Sequence, residues 1–330
     1  MSSVLPWHQP LWQRLVKQQA EGRLPHAMLF AGAKGVGKVQ FAEAIGARLL
    51  CHLPLDGEAC GSCKSCELIK GGSHPDLLRL SPEEEGKVIK VDPVREMIDK
   101  LHSTAQQGGY RILIVHPAEE MNVAAANAIL KTLEEPGDAT LIMLVVDQLG
   151  KVMPTIRSRC QRIDFPAPQP AEARGWLAAE AQISEDEAGK FLALAQGAPL
   201  LARDWKLGGV KDLRAKFLSG LADLIRNRQS PLTLAEQLQK EDIALMLNWW
   251  GTLMSDVIHL QLAGAEGPRT NLDMAKLVTA LAKRCQSDAI FKLNDQIHQE
   301  RAALMYHQNP NKQLLLEKLF MDWKSLTQTD

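Results

Sequence analysis

The sequence predicts a mixed α/β fold, with a parallel sheet around a phosphate-binding loop in its first half and helices alone in its second. Three observations predict it. Apolar runs of strand length alternate with helical periods as far as Phe165. The first such run flows directly into the glycine-rich string Gly32-Ala33-Lys34-Gly35-Val36-Gly37-Lys38. Beyond Phe165 the strand-like runs stop and helical spacing takes over.

Ala27–Ala31 (AMLFA) is the apolar run that ends in the glycine-rich turn. Over 38–50, Phe41, Ile45 and Leu49 recur every fourth position, as on one face of a helix, so strand, loop and helix follow one another directly. A cysteine-rich segment comes next, and then 81–87 (SPEEEGK), a solvated acidic loop. Asp92-Pro93 reads as an N-cap followed by proline at the first helical position, opening a helix through Met97, Ile98 and Leu101. Arg111–Val115 (RILIV) is a buried strand. Asn122 can cap the next helix, which carries Ile129, Leu130 and Leu133 and must end near Pro136, because proline disfavours a helical residue before it. Residues 141–146 (LIMLVV) form a further buried strand. These elements make a first domain over 1–165, with a metal module at about 51–66 inserted in it.

Pro166-Ala167-Pro168-Gln169-Pro170 reads as a linker, opening a small helical domain over 166–207 that precedes a larger one over 208–330. In the larger, Ile243, Met246, Leu247, Trp250, Leu253, Met254, Val257 and Ile258 keep helical spacing, and core packing accounts for the stripe without a cofactor.

With 45% hydrophobic and 23% charged residues, the 330-residue chain has the balance of a folded globular protein of two or three domains. Its net charge of -1 argues against tight, unaided nucleic-acid binding, which needs clustered Lys and Arg. No basic segment followed by an apolar core opens the sequence and no apolar stretch approaches a membrane span, so a cytoplasmic location is expected. Cys160 and Cys285 stand alone and read as small buried hydrophobes.

Two motifs carry chemistry. In the first, Gly32, Gly35, Gly37 and Lys38 fit a loop whose backbone N–H groups cradle phosphates while the lysine reaches the terminal ones. Two parts needed for hydrolysis are missing. Val39 stands where a Ser or Thr hydroxyl should hold magnesium, and the strand ending at Val115 runs into His116-Pro117 where a metal-organising carboxylate belongs. Glu119 and Glu120 lie further on and read as charge at a helix N-terminus in preference to a displaced metal-organising carboxylate. Whether ATP or ADP still binds this degenerate loop is left open by these residues.

The second motif is Cys60-x-x-Cys63-x-x-Cys66 with Cys51 upstream, four thiolates able to enclose a structural zinc ion tetrahedrally. The spacing also occurs in iron–sulfur proteins, but those take their fourth cysteine downstream, and none is there. His52 and His74 are nearby alternatives that a four-thiolate site does not need.

Three strings together carry a family resemblance: the cysteine quartet after the loop helix, Ile129-Leu130-Lys131-Thr132-Leu133-Glu134-Glu135-Pro136, and Ser158-Arg159-Cys160. With them the chain resembles bacterial DNA polymerase III clamp-loader subunits of the AAA+ family, which open a ring-shaped sliding clamp and set it on primed DNA. The resemblance runs from Trp7 into the helical region, where Asn309-Pro310-Asn311-Lys312 before Leu314 also fits. It implies a nucleotide-binding α/β domain, a helical lid and a helical collar through which subunits assemble. It further implies as partners the ATP-hydrolysing motor subunits (gamma and tau), the delta subunit, and, through the complex, the clamp and primer-template DNA.

Motor subunits of that family keep the hydroxyl, the acidic pair, a polar residue at a strand end and an arginine in the lid. Here Val39, His116-Pro117, Val145-Val146 and Leu200 occupy those places. Arg159 survives, and the resemblance implies that it is presented in trans to a neighbour's ATP. The expectation is therefore a non-hydrolysing assembly subunit that lends an arginine. The alternatives are an ATP-hydrolysing motor subunit and a free-standing zinc-dependent nucleic-acid binder. Polymerase activity would belong to the holoenzyme, since no trio of metal-binding carboxylates is visible here.

Overall fold

The computed structural model describes residues 4–55, 57–84, 86–208, 210–264, 270–305 and 310–326, so Asn309 of the motif above lies outside the described residues. The chain divides into two compact units, Met1–Ala173 and Arg174–Asp330.

The first unit runs α1 (Gln9–Ala20), β1 (Ala27–Ala31), α2 (Lys38–Leu50), α3 (Lys64–Lys70), β2 (Leu77–Leu80), α4 (Val91–His102), β3 (Arg111–Val115), α5 (Val123–Glu134), β4 (Thr140–Val146), α6 (Pro154–Arg157) and β5 (Gln161–Asp164), and α7 (Pro170–Ala181) spans the boundary. The strands form one parallel sheet in the order β2-β3-β4-β1-β5. Helices cover both faces, so β1 and β4 are buried along their whole length and read as unbroken apolar runs. Period-two alternation still sorts them. Leu29, Leu113 and Leu144 join Val94, Leu101, Ile129 and Leu133 in one core, whereas Phe30 meets Phe41 of α2 and Phe165 at ring-centroid separations of 5.8 and 5.1 Å.

Residues 38–50 form the helix read from their period, and Asn122 caps α5 by accepting the Ala125 N–H at 2.8 Å. One expectation needs correction. Helix α4 starts at Val91 with Lys90 as N-cap, so Asp92 lies inside the first turn. The cause is tertiary: Ile89 bridges to Met121, its N–H bonding to Glu120 and its carbonyl to Asn122, so the chain turns two residues sooner. Strands β2 and β5, short and partly polar, are further strands beyond those read from apolar runs.

The second unit contains α8 (Glu185–Leu194), α9 (Pro199–Leu207), α10 (Val210–Ile225), α11 (Pro231–Leu238), α12 (Ile243–Ala263), α13 (Ala275–Arg284), α14 (Ser287–Met305) and α15 (Lys312–Ser325). The Met and Trp stripe of α12 is core: Met246, Trp250 and Met254 are fully buried, and Trp250 stacks on Phe320 at 5.4 Å. One buried polar knot ties loop to helix. Asp256 accepts the N–H groups of Thr270 and Asn271 and the Asn271 side-chain amide, and Asn271 in turn accepts from Arg214 at 2.7 Å. No helix among the described residues is long and apolar enough to cross a membrane.

Candidate functional site

Sheet register builds the phosphate-loop corner. Ala31 pairs with Val146 on one side and Asp164 on the other, so Gly32, Asp147 and Phe165 leave their strands side by side. Gly32 must be glycine, because a Cβ there would lie 2.3 Å from the Phe165 carbonyl oxygen. Gly37 takes φ 104°, the left-handed region, and a Cβ on it would meet Leu5 and His8. The N-terminal segment thus packs onto the loop, and Trp7 Nε1 donates to the Val36 carbonyl at 3.0 Å.

Lys38 points back into its own loop. Its ammonium donates to the carbonyl oxygens of Gly32 at 2.7 Å and Ala33 at 2.6 Å and to Asp147 Oδ1 at 2.7 Å. Asp147 is fixed from its other side, its N–H donating to Glu119 Oε1 at 2.8 Å beside that of Gln148 at 2.9 Å. Glu119 is therefore more than the helix-terminal charge read from sequence. It sits in a short 3-10 turn, and burial pushes its carboxyl upward, with nearby Asp147 adding to the shift against the N–H bonds it accepts. His116 lies at the end of β3, and burial pulls its imidazole below the ordinary range. His8 is buried with neither ring nitrogen hydrogen-bonded, and burial first and Lys38 second lower its pKa to about 4.

The four predicted cysteines come together. Cys51 caps the C-terminus of α2, Cys63 is the N-cap residue of α3, and Cys66 lies in that helix's first turn. Their sulfurs all lie within 4.8 Å of one another, with Cys51 to Cys63 and Cys60 to Cys66 both 3.9 Å. Tetrahedral Zn–S bonds of about 2.3 Å require sulfurs roughly 3.8 Å apart, so the donor set fits a metal ion such as zinc. Backbone N–H groups of Ser62 and Cys63 lower the Cys60 pKa to about 6, whereas burial pushes Cys66 to about 12. A metal would displace the remaining protons. His74 is committed elsewhere: Nδ1 accepts the Asp76 N–H, leaving Nε2–H to donate to Ser65 Oγ at 2.9 Å. Asp76 accepts the N–H groups of Gln106 and Gln107, so the module is tied to the sheet by a buried chain of hydrogen bonds.

Arg159 follows the single turn of α6 and is one-third exposed. Its Nε donates to Glu134 Oε1 at 2.5 Å and its Nη1 to the Thr155 carbonyl at 2.9 Å. Glu134 closes α5, so the two strings read separately in sequence meet here. In the second unit Leu200 is buried in the first turn of α9.

Residues 7–169 match the sequence model of a family described as DNA polymerase III, delta subunit, and 209–325 that of DNA polymerase III, delta subunit, C terminal. The chain is 36% identical over 327 residues to the DNA polymerase III subunit delta' of Pseudomonas aeruginosa, covering 99% of each chain. It belongs to the DNA polymerase III delta-prime family. The delta-prime subunit of Escherichia coli is 32% identical over 96% of this chain and 94% of that one. A solved structure, a DNA polymerase III gamma subunit-related protein of Thermotoga maritima, is 18% identical, covers 98% of this chain and 100% of that one, and superposes with a TM-score of 0.45.

Against this delta-prime background, the residue that sequence reading passed over is Asp147. Val145-Val146 ends β4 without a polar group, but the next residue supplies one, and its carboxylate is on Lys38. An acidic residue directly after a buried strand was the available signal. His8 gave none, because what distinguishes it is burial.

Proposed function

We propose that this chain is the non-hydrolysing delta-prime subunit of the DNA polymerase III clamp loader, and that Arg159 serves the ATP site of a neighbouring motor subunit. The observation that carries the reading is the contrast at two corners. At its own loop, Val39 and His116-Pro117 offer no ligands to magnesium, and Lys38 is engaged within the protein. Phosphoryl transfer depends on a placed metal, so the loop lacks what turnover requires. At the other corner, Arg159 keeps its Ser-Arg-Cys setting and a partly exposed guanidinium.

In this reading the chain works as a fixed partner against which the motor subunits (gamma and tau) and the delta subunit move, touching the clamp and primed DNA through the complex. It has three domains, a nucleotide-binding fold over 1–165, a lid over 166–207 and an assembly collar over 208–330. The cysteine quartet holds structural zinc, the protein resides in the cytoplasm, and polymerisation belongs to the holoenzyme.

The test is a reconstituted loader containing wild-type or Arg159→Ala chain, with assembly, clamp- and DNA-stimulated ATP turnover and clamp loading followed in parallel. Assembly should be intact and turnover reduced. An arginine finger contributes a factor of about 10³ to 10⁵ at its own site, so total turnover falls by that site's share, or further if the sites fire only together. Unchanged turnover and loading would assign Arg159 to its local pairing with Glu134.

A further inference from the structure

A lysine ammonium has three N–H donors. Those of Lys38 are matched by Gly32 O, Ala33 O and Asp147 Oδ1, at 2.6 to 2.7 Å, with the lysine side chain only 3% exposed. In a phosphate-binding loop this is the group that must meet phosphate oxygens. Here its donors are taken and its charge is neutralised before any ligand arrives.

Asp147 is not a surface side chain that has fallen onto the lysine. The pairing of Ala31 with Val146 sets it beside the loop, and Glu119 grips the backbone N–H groups of Asp147 and Gln148. A phosphate entering the loop would have to displace this carboxylate from Lys38. It would then lie beside a like charge whose backbone the fold holds next to the loop. Magnesium usually bridges such anions, but Val39 removes the hydroxyl that would help hold it.

We propose that Asp147 is a built-in anion for this loop, occupying Lys38 where a nucleotide phosphate would bind and so keeping nucleoside di- and triphosphates out. The inference rests on reading Gly32 to Lys38 as a non-hydrolysing phosphate loop, and adds the residue that sets its occupancy.

The experiment titrates a fluorescent ADP onto the full-length chain, with and without magnesium, for wild type, Asp147→Asn and Asp147→Ala, each also combined with Lys38→Ala. Circular dichroism and metal content check the fold, and ATP turnover is measured on the same preparations. Wild type should bind weakly and without regard to Lys38→Ala. Both Asp147 variants should bind at least about tenfold more tightly, equivalent to about 1.4 kcal/mol, with or without magnesium, and lose the gain with Lys38→Ala. Wild-type binding as tight as the variants', or a gain that survives Lys38→Ala, overturns the proposal. Should neither variant fold, wild type decides: ADP held through Lys38 overturns it, and ADP indifferent to Lys38→Ala is the expected result. Tight Lys38-dependent ADP binding without turnover removes only the role of Asp147, whereas magnesium-dependent turnover by the wild type removes the non-hydrolysing reading itself.

Discussion

The ring of His8 meets Phe165 edge to face, with centroids 4.9 Å apart, where the 3-10 turn over Pro6–His8 closes on the phosphate loop. With Phe41 on another side and no hydrogen bond to either nitrogen, the imidazole is held neutral. Its pKa falls from 6.5 to about 4, so between those values the unfolded chain binds the extra proton and the folded one does not. The contribution of His8 to stability is complete above about pH 6.5 and is lost as pH falls toward 4. The gap corresponds to roughly 3 kcal/mol. Urea unfolding followed by the fluorescence of Trp7 and Trp12 should therefore steepen in its acid dependence over this range, and His8→Phe should flatten it. An unaltered slope in His8→Phe would show that other groups govern the acid limb.

Isolated wild-type chain should show no ATP turnover above background, with or without magnesium. Val39 and His116 cannot place the metal on which transfer depends. The control is Lys38→Ala. Turnover that requires magnesium and disappears in this variant would identify a motor subunit.

Elemental analysis of protein purified without chelator should find one zinc per chain, because four sulfurs at the observed spacing match its tetrahedral shell. Cys63→Ser or chelation should raise hydrogen exchange between Cys51 and Cys66 while leaving the sheet protected, since the sheet's core is separate and apolar. Iron, or no metal, would reject the assignment.

Asp256→Ala should destabilise the second unit by on the order of 3 kcal/mol, because it strips a buried carboxylate from the N–H groups of Thr270 and Asn271. Asp256→Asn should cost less, as its oxygen can still accept one of them. The midpoint of the unfolding phase reported by Trp249 and Trp250 measures both. An Asp256→Ala midpoint equal to wild type would mean that water replaces the carboxylate.

By itself, the sequence determined whatever follows from neighbours along the chain. The phosphate loop between strand and helix, the cysteine quartet, the Asn122 cap and the all-helical second half are short-range patterns, set by spacing and side-chain chemistry. The interior strands β1, β3 and β4 were legible for the same reason, since burial on both faces demands an unbroken apolar run. Tertiary structure alone decided the rest. Strands β2 and β5 lie at the two edges of the sheet, where one side needs no partner and polar residues are tolerated, so Leu77–Leu80 and Gln161–Asp164 carry too little apolar signal to stand out. The start of α4 was moved by a bridge between Ile89 and Met121. Lys38 and Asp147 are 109 positions apart, and Arg159 and Glu134 are 25. Parallel register brings the first pair together, and the packing of α6 against the end of α5 brings the second, because a strand order of β2-β3-β4-β1-β5 sets side by side chain segments that no local pattern connects.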